Sequence, residues 1–327
     1  MSPMSSTDAP IVYPPLVERV VALTGPTAAG KSALALEVAE RIDGEILSLD
    51  SIAVYRDMDI GTAKPSAEDR QRVPHHLIDL VTPDDDYSVA RYLRAAHQLV
   101  DELERRGRKA IFVGGTPMFL KAVLRGFDPG PPPDWDFRES VERDLERFGA
   151  EALRQRLVQV DPLSAARIDP GDTRRMIRAL EVSKSTGSPL SHRQIQFERE
   201  RDASACSVFA LRWQRSELHA RINARVEQMF EAGLTNEVEG LLERYDLSRT
   251  ASQAVGYREV IEWFERGLDA PARTVRESIA AHTRQLARRQ ETWFRSFSEI
   301  TGLPISESTG VAALADEVVS RVATLHS

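Results

Sequence analysis

The segment Gly25-Pro26-Thr27-Ala28-Ala29-Gly30-Lys31-Ser32 leaves this chain little freedom in how it starts to fold. It matches G-x-x-x-x-G-K-[ST], a loop whose successive backbone N–H groups face a phosphate chain, whose Lys neutralises it and whose hydroxyl ligates Mg²⁺. Ahead of it stands the apolar run Val20-Val21-Ala22-Leu23, and behind it Leu34, Val38 and Ile42 recur on one helical face. Strand, glycine-rich turn and helix form the geometry that lays phosphate oxygens on a helix N-terminus. A phosphate or diphosphate is therefore expected on residues 25–32, with Ser32 as the metal-binding hydroxyl. The loop alone does not name the reaction.

Three further segments extend the pattern. Glu45-Ile-Leu-Ser-Leu-Asp50 reads as a short buried strand ending on an acid, Lys109–Val113 as another that runs into Gly114-Gly115-Thr116, and Ser207–Leu211 as a return to the sheet. Ligands of open α/β sheets bind beyond the carboxyl ends of the strands, so the phosphate loop, Asp50-Ser51 and Gly-Gly-Thr should face one crevice. Ser51–Pro65 reads as a loop wrapping a site. From Ser88 a helix is written by Val89, Tyr92, Leu93, Ala96, Val100 and Leu103, with Gly107 as its stop. Adjacent His75 and His76 point in different directions on a strand or a helix, which argues for packing or loop histidines over a metal pair.

Asp128–Pro133, DPGPPP, breaks regular structure, and the residues from 134 to about 200 have helical periodicity without a convincing strand. The expectation is an α/β fold, a P-loop NTPase-like parallel sheet over 16–128 and 206–327, with a helical insertion over 129–205 and a disordered segment over 1–15. Within the insertion, Arg167, Arg174, Arg175 and Arg178 crowd near Asp169, Asp172 and Glu181, as a solvated face or a contact surface. Ser216 is placed to cap a helix striped by Leu218, Ile222, Val226, Met229 and Phe230 and ending at Gly233. Arg225 borders that stripe, and such a guanidinium either has a fixed anionic partner or snorkels. In TRQLARRQETWFR, 283–295, Arg284, Arg288, Arg289 and Arg295 surround Trp293 and Phe294, the pattern of a nucleic-acid contact.

Composition sets outer limits. The 327 residues, 42% hydrophobic and 28% charged, suit a soluble α/β core with an insertion. A formal charge of -7 argues against a uniformly basic coat and leaves a local basic face open. The single Cys206 excludes an intrachain disulfide and a Cys-based zinc module, and reads as a small buried hydrophobe. Residues 1–15 lack the basic start and apolar run of a signal peptide, and no stretch is long enough to span a bilayer, so a cytoplasmic enzyme is expected. There is no internal repeat or low-complexity tract.

Taken together, GPTAAGKS at 25–32, DSIAVYRDMDIGTAKP at 50–65, PHHLID at 74–79, GGTPMFLKA at 114–122, RRMIRALEV at 174–182, RINARVEQM at 221–229, QAVGYRE at 253–259 and the 283–295 stretch resemble the tRNA dimethylallyltransferases, also called tRNA isopentenyltransferases. The resemblance runs through nearly the whole chain, and DS-x3-Y followed by DIGTAKP is far more specific than the phosphate loop. It implies transfer of a dimethylallyl group from dimethylallyl diphosphate to N6 of adenosine 37 in the anticodon arm of tRNA, with Mg²⁺, by a monomer. Asp50 is then the general base, with Thr116 and Arg225 beside it, and residues 25–32 hold the diphosphate. The resemblance assigns tRNA contact to Asp50, Ser51, Ile52, Ala53, Thr116, Arg138, Arg174, Arg175, Met176, Ile177, Arg178, Ala254, Val255, Gly256, Tyr257, Arg258 and Glu259, to which the basic tail adds Arg284 and Arg288. The adenine must leave its stack to reach Asp50.

Three positions depart from the commonest family pattern. Ala53 replaces a frequent Gln and loses a side-chain hydrogen bond, Ser32 replaces the more usual Thr and keeps the hydroxyl, and Pro117-Met118-Phe119 replaces a Gly-Leu-Tyr type run. The competing readings are a small-molecule kinase using ATP, a transferase acting on free AMP or ADP, and a non-catalytic tRNA-binding module.

Overall fold

Val20–Thr24, β1, is buried at every residue because strands on either side and helices above enclose it. With β2 (Gly44–Ser48), β3 (His75–His76), β4 (Lys109–Gly114), β5 (Val208–Trp213) and β6 (Thr301–Ile305) it makes one parallel sheet, in the order β3-β2-β4-β1-β5-β6. We describe this sheet from a computed structural model, which describes residues 12–193 and 200–325. The expectation for residues 1–11 and for 194–199 lies outside the described residues.

On one face, Val21 and Leu23 of β1 pack with Leu34 and Val38 of the Lys31–Ile42 helix and with Leu314 and Val318 of the Val311–Leu325 helix. Because β4 inserts between β1 and β2, the turns after these three strands open side by side, with Thr24 opposite Gly114 and Ser48 opposite Val113. The fold is α/β, as the alternation of apolar runs and helical stripes predicts.

Two strands escape sequence reading. β3 is only two residues long, and its histidines are satisfied: His75 Nδ1 lies 2.7 Å from the Val73 carbonyl and His76 Nε2 lies 2.6 Å from Glu45. β6 contains Gly302 and Pro304, which depress strand propensity, and Pro304 is tolerated because β6 pairs on one side only. Other boundaries shift slightly: β2 ends at Ser48, leaving Asp50 just beyond it. Ser216 does not cap its helix, which runs Arg215–Glu231 with Gln214 at the cap position and no side-chain cap bond.

Contacts divide the chain into two compact units, the sheet unit of Leu16–Leu124 with 200–325, and a smaller one of 12–15 with 125–193. In the smaller unit Tyr13 exchanges backbone hydrogen bonds with Phe127, each 2.9 Å. Its helices, Trp135–Val160 broken at Gly149, Pro162–Arg167 and Thr173–Thr186, enclose Phe137, Val141, Leu157, Met176 and Leu180. No helix of the described residues is long and apolar enough to cross a membrane.

Candidate active site

The phosphate loop is shaped by what holds its carbonyls. Lys31 Nζ donates to Gly25 O at 3.1 Å and Pro26 O at 2.8 Å, Arg221 Nε to Ala28 O at 2.9 Å, and Trp213 Nε1 to Ala29 O at 2.9 Å. The Arg221 guanidinium also stacks 4.5 Å from the Trp213 ring centroid. Gly30 closes the loop in the left-handed region (φ 88°), the conformation glycine adopts without penalty, and starts the Lys31–Ile42 helix. The first N–H groups of that helix have no intrahelical carbonyl and are free to meet an anion.

Beyond β2 and β4 two turns lock together. Thr116 N–H donates to Leu49 O at 3.1 Å, and Thr116 Oγ1 accepts Ser51 N–H at 3.0 Å. Only glycine fits at 114, where a Cβ would stand 2.2 Å from Leu49 O. Asp50 Oδ1 accepts the N–H groups of Ile52 at 2.8 Å and Ala53 at 3.3 Å, an Asx turn that aims the carboxylate. Its Oδ2 accepts no hydrogen bond among the described residues.

Arg225 is half-buried and lines the same crevice. It makes no ion pair with a carboxylate among the described residues, and instead Nη1 reaches Thr27 Oγ1 and Nη2 reaches Thr62 O, both at 3.3 Å. Burial pulls its pKa down, against the attraction of Asp50. For Lys31, burial first, then Arg225, push the ammonium down to about 7, with Asp50 opposing. Two half-buried cations that disfavour each other's charge favour an anion between them.

Two cavities share a wall here. The smaller, of about 130 Å³, carries Lys31, Ser32, Ser48 and His75 among apolar Ala35, Ile46, Ala53 and Val113. A larger one of about 380 Å³ has an apolar wall of Ile222, Val226, Met229, Ile279 and Leu286, facing Ser51, Ile52 and Thr116. Thr27, Asp50, Thr62, Gly115, Arg225 and Gln290 line both. The Ser32 hydroxyl has no partner among the described residues, and no group of three His, Cys, Asp or Glu forms a metal cage there. A hydroxyl, a nearby carboxylate and substrate phosphates are nevertheless a donor set that suits Mg²⁺, which keeps few protein ligands.

The other residues singled out from sequence fall into three groups. Ala254, Val255 and Tyr257 line the larger cavity, whereas Gly256, Arg258 and Glu259 form a support behind it. There Glu259 accepts Gly256 N–H at 2.7 Å and pairs with Arg258 at 2.6 Å and His282 at 2.7 Å. Arg284 donates to Asn223 at 2.7 Å, and exposed Arg288 lies in a separate concavity with Arg215, His219 and Arg295. In the smaller unit, Arg138 and Arg178 both pair with the fully buried Glu181. Met176 and Ile177 pack in the core, 0% and 5% exposed, while Arg174 and Arg175 are exposed.

Sequence reading missed Gln290, Glu237, Thr62, Arg221 and Trp213. Gln290 stood inside a stretch dominated by arginines, and the other four act through contacts between segments far apart in the chain.

The chain is similar to known proteins over most of its length. The sequence profile described as IPP transferase matches residues 53–297. The tRNA dimethylallyltransferase of Rhodopirellula baltica is 57% identical over 324 residues, 96% of this chain and 96% of that one. That of Geobacter metallireducens is 44% identical over 285 residues, 86% of this chain and 91% of that one. Among solved structures, the tRNA isopentenylpyrophosphate transferase of Bacillus halodurans superposes with a TM-score of 0.68 at 35% identity, covering 94% of this chain and 98% of that one. A eukaryotic dimethylallyltransferase described as acting on tRNA superposes with a TM-score of 0.73 at 25% identity, covering 93% of this chain and 77% of that one. These matches, over most of its length, place it in one family: the chain belongs to the IPP transferases.

Proposed function

We infer that this chain transfers a dimethylallyl group from dimethylallyl diphosphate to N6 of adenosine 37 in tRNA, releasing diphosphate. The observation that carries the reading is the junction of the two cavities at Asp50 and Arg225. Diphosphate occupies the side of the phosphate loop, on the loop amides, Lys31 and Arg225; the five-carbon group and the flipped adenine occupy the side walled by Ile222, Val226, Met229, Ile279 and Leu286. The reacting carbon then lies between them.

The N6 lone pair forms the new bond to the allylic carbon as the C–O bond breaks and its electron pair leaves with diphosphate. The N6 proton passes to Asp50, whose Oδ1 is held by two N–H groups while Oδ2 remains available. Lys31 and Arg225 stabilise the charge that grows on the leaving oxygen. Ser32, with Asp50 nearby, would hold Mg²⁺, which supplies further neutralisation of the diphosphate when bound. Thr116 fixes the Ser51 turn, so that Asp50 keeps its aim.

In this reading the exposed Arg174, Arg175 and Arg288, with the half-buried Arg284, meet phosphates of the anticodon arm, and the enzyme works as a cytoplasmic monomer. Arg138 acts at one remove, through Glu181. Incubation of the purified chain with labelled dimethylallyl diphosphate and Mg²⁺ should label an anticodon stem-loop carrying adenosine 37, with N6-dimethylallyladenosine recovered after digestion. Label transferred from ATP instead would establish a kinase, and equal labelling of free AMP would move the acceptor from tRNA to the nucleotide.

A further inference from the structure

The peptide group between Pro26 and Thr27 is gripped from two sides. Its carbonyl accepts Lys31 Nζ at 2.8 Å, and its N–H donates to Gln290 Oε1 at 2.9 Å. The other end of the same side chain, Nε2, donates to Gly115 O at 2.7 Å. These two partners, one N–H and one carbonyl, fix which end of the amide is which. Gln290 is 7% exposed and lines both cavities. It leaves the Ala272–Arg295 helix on the side of buried Ala287 and Phe294, away from exposed Arg288 and Arg295.

We propose that Gln290 is a positioning residue that sets the spacing between the phosphate loop and the Gly114-Gly115 turn for a bound diphosphate. The proposal rests on the reading that residues 25–32 hold a diphosphate. When an anion arrives, the Lys31 ammonium turns part of its donor capacity to it, and the Pro26 carbonyl loses support. Gln290 then keeps the peptide oriented from the other side. A neutral amide suits this place because it accepts from the Thr27 N–H and donates to Gly115 O at once. A carboxylate of the same length would set lone pairs against the Gly115 carbonyl and negative charge against the diphosphate. A side chain at residue 115 would displace the amide, since a Cβ there would stand 2.6 Å from Nε2.

The test uses the full chain and inorganic diphosphate with Mg²⁺, titrated calorimetrically, alongside the Kd for tRNA and the melting temperature. Gln290→Met, of similar volume and without either hydrogen bond, should weaken diphosphate binding about tenfold, with the tRNA Kd within about twofold of wild type. Gln290→Glu should weaken it further. Gly115→Ala should weaken binding in the wild-type chain and add less than about twofold in the Gln290→Met chain, because both changes break one contact. Wild-type diphosphate affinity in Gln290→Met, independent effects of the two substitutions in the double variant, or equal loss of diphosphate and tRNA binding would each overturn the proposal. If Gln290→Met does not fold, Gln290→Glu and Gly115→Ala decide it alone, and unchanged diphosphate affinity in both overturns it. A wild-type chain that binds no diphosphate at all overturns the assignment of residues 25–32, and this proposal with it; a wild type that binds and variants that match it overturn the role of Gln290 alone.

Discussion

The Tyr257 hydroxyl donates to Glu237 at 2.6 Å, and the same carboxylate accepts the backbone N–H groups of Asp59, Ile60 and Gly61. One acid thus anchors the loop that presents the Thr62 carbonyl to Arg225. Glu237→Ala should lower the unfolding free energy by about 2 kcal/mol, since it leaves three N–H groups and a phenol without their acceptor. Tyr257→Phe, which removes one bond of four, should cost about 1 kcal/mol. Gly61→Ala should be at least as harmful as Glu237→Ala, because its Cβ would stand 2.3 Å from the Tyr257 ring. Urea denaturation of the three variants checks this order.

A second acid organises the smaller unit. Burial by itself would raise the Glu181 pKa, yet the hydrogen bonds from Arg138 and Arg178 outweigh it and hold the carboxyl below its ordinary value. A depressed carboxylate stabilises the fold fully above the unfolded-state value, about 4.5, and that contribution is lost as pH falls through the lower folded value. Wild type should therefore lose stability below about pH 4.5 more steeply than Glu181→Gln, which has no charge to lose. Melting temperatures of both between pH 3 and 7 test it, and parallel curves would contradict it.

These two acids also mark where sequence reading stops. The phosphate loop was legible because its function is written in local backbone chemistry: glycines, a lysine and a hydroxyl between a strand and a helix. Asp50 and Thr116 were legible because each follows a strand of the sheet. Glu237, Gln290 and Glu181 were not, because each acts on backbone or arginines brought to it from segments distant in the chain. Arg138 and Arg178 looked alike, from sequence, to the exposed Arg174, and only the buried Glu181 separates them. β3 and β6 were missed for local reasons, one too short for a period and the other carrying Gly302 and Pro304.

If diphosphate binds on residues 25–32 as proposed, Lys31 should link that binding to proton uptake. With its ammonium near 7 in the free protein, part of the population is neutral above that pH. A bound diphosphate favours the charged form, so binding at pH 8 should take up protons and affinity should fall as pH rises from about 7 to 9. Calorimetry in two buffers of different ionisation enthalpy reads the uptake directly. Lys31→Met should show less uptake than wild type at pH 8, and the same uptake in both would place the titrating group elsewhere.

Arg288 and Arg138 should respond differently to substitution. Arg288 is exposed among Arg215, His219 and Arg295, so Arg288→Ala should weaken tRNA binding and reduce its salt dependence by about one counterion. Arg138 is committed to Glu181, so Arg138→Ala should act first on stability. Filter binding between 50 and 300 mM salt separates the two, and an unchanged slope for Arg288→Ala would return that residue to ordinary solvated surface.

Asp50→Asn isolates the proton-accepting role from the structural one. Asparagine retains an oxygen for the Ile52 and Ala53 N–H groups, so the turn and the aim of the side chain should survive. What changes is the free end, where a carboxylate oxygen becomes an NH₂ that cannot take a proton. Turnover should fall by roughly 10² to 10⁴, the range for loss of a general base, with tRNA affinity within a few-fold. Asp50→Ala should lose the same turnover and also loosen the Ser51 turn that Thr116 holds. The pair separates the two contributions: if Asn restores wild-type turnover, Asp50 serves the turn and not the proton, and the base must be sought elsewhere in the cavity.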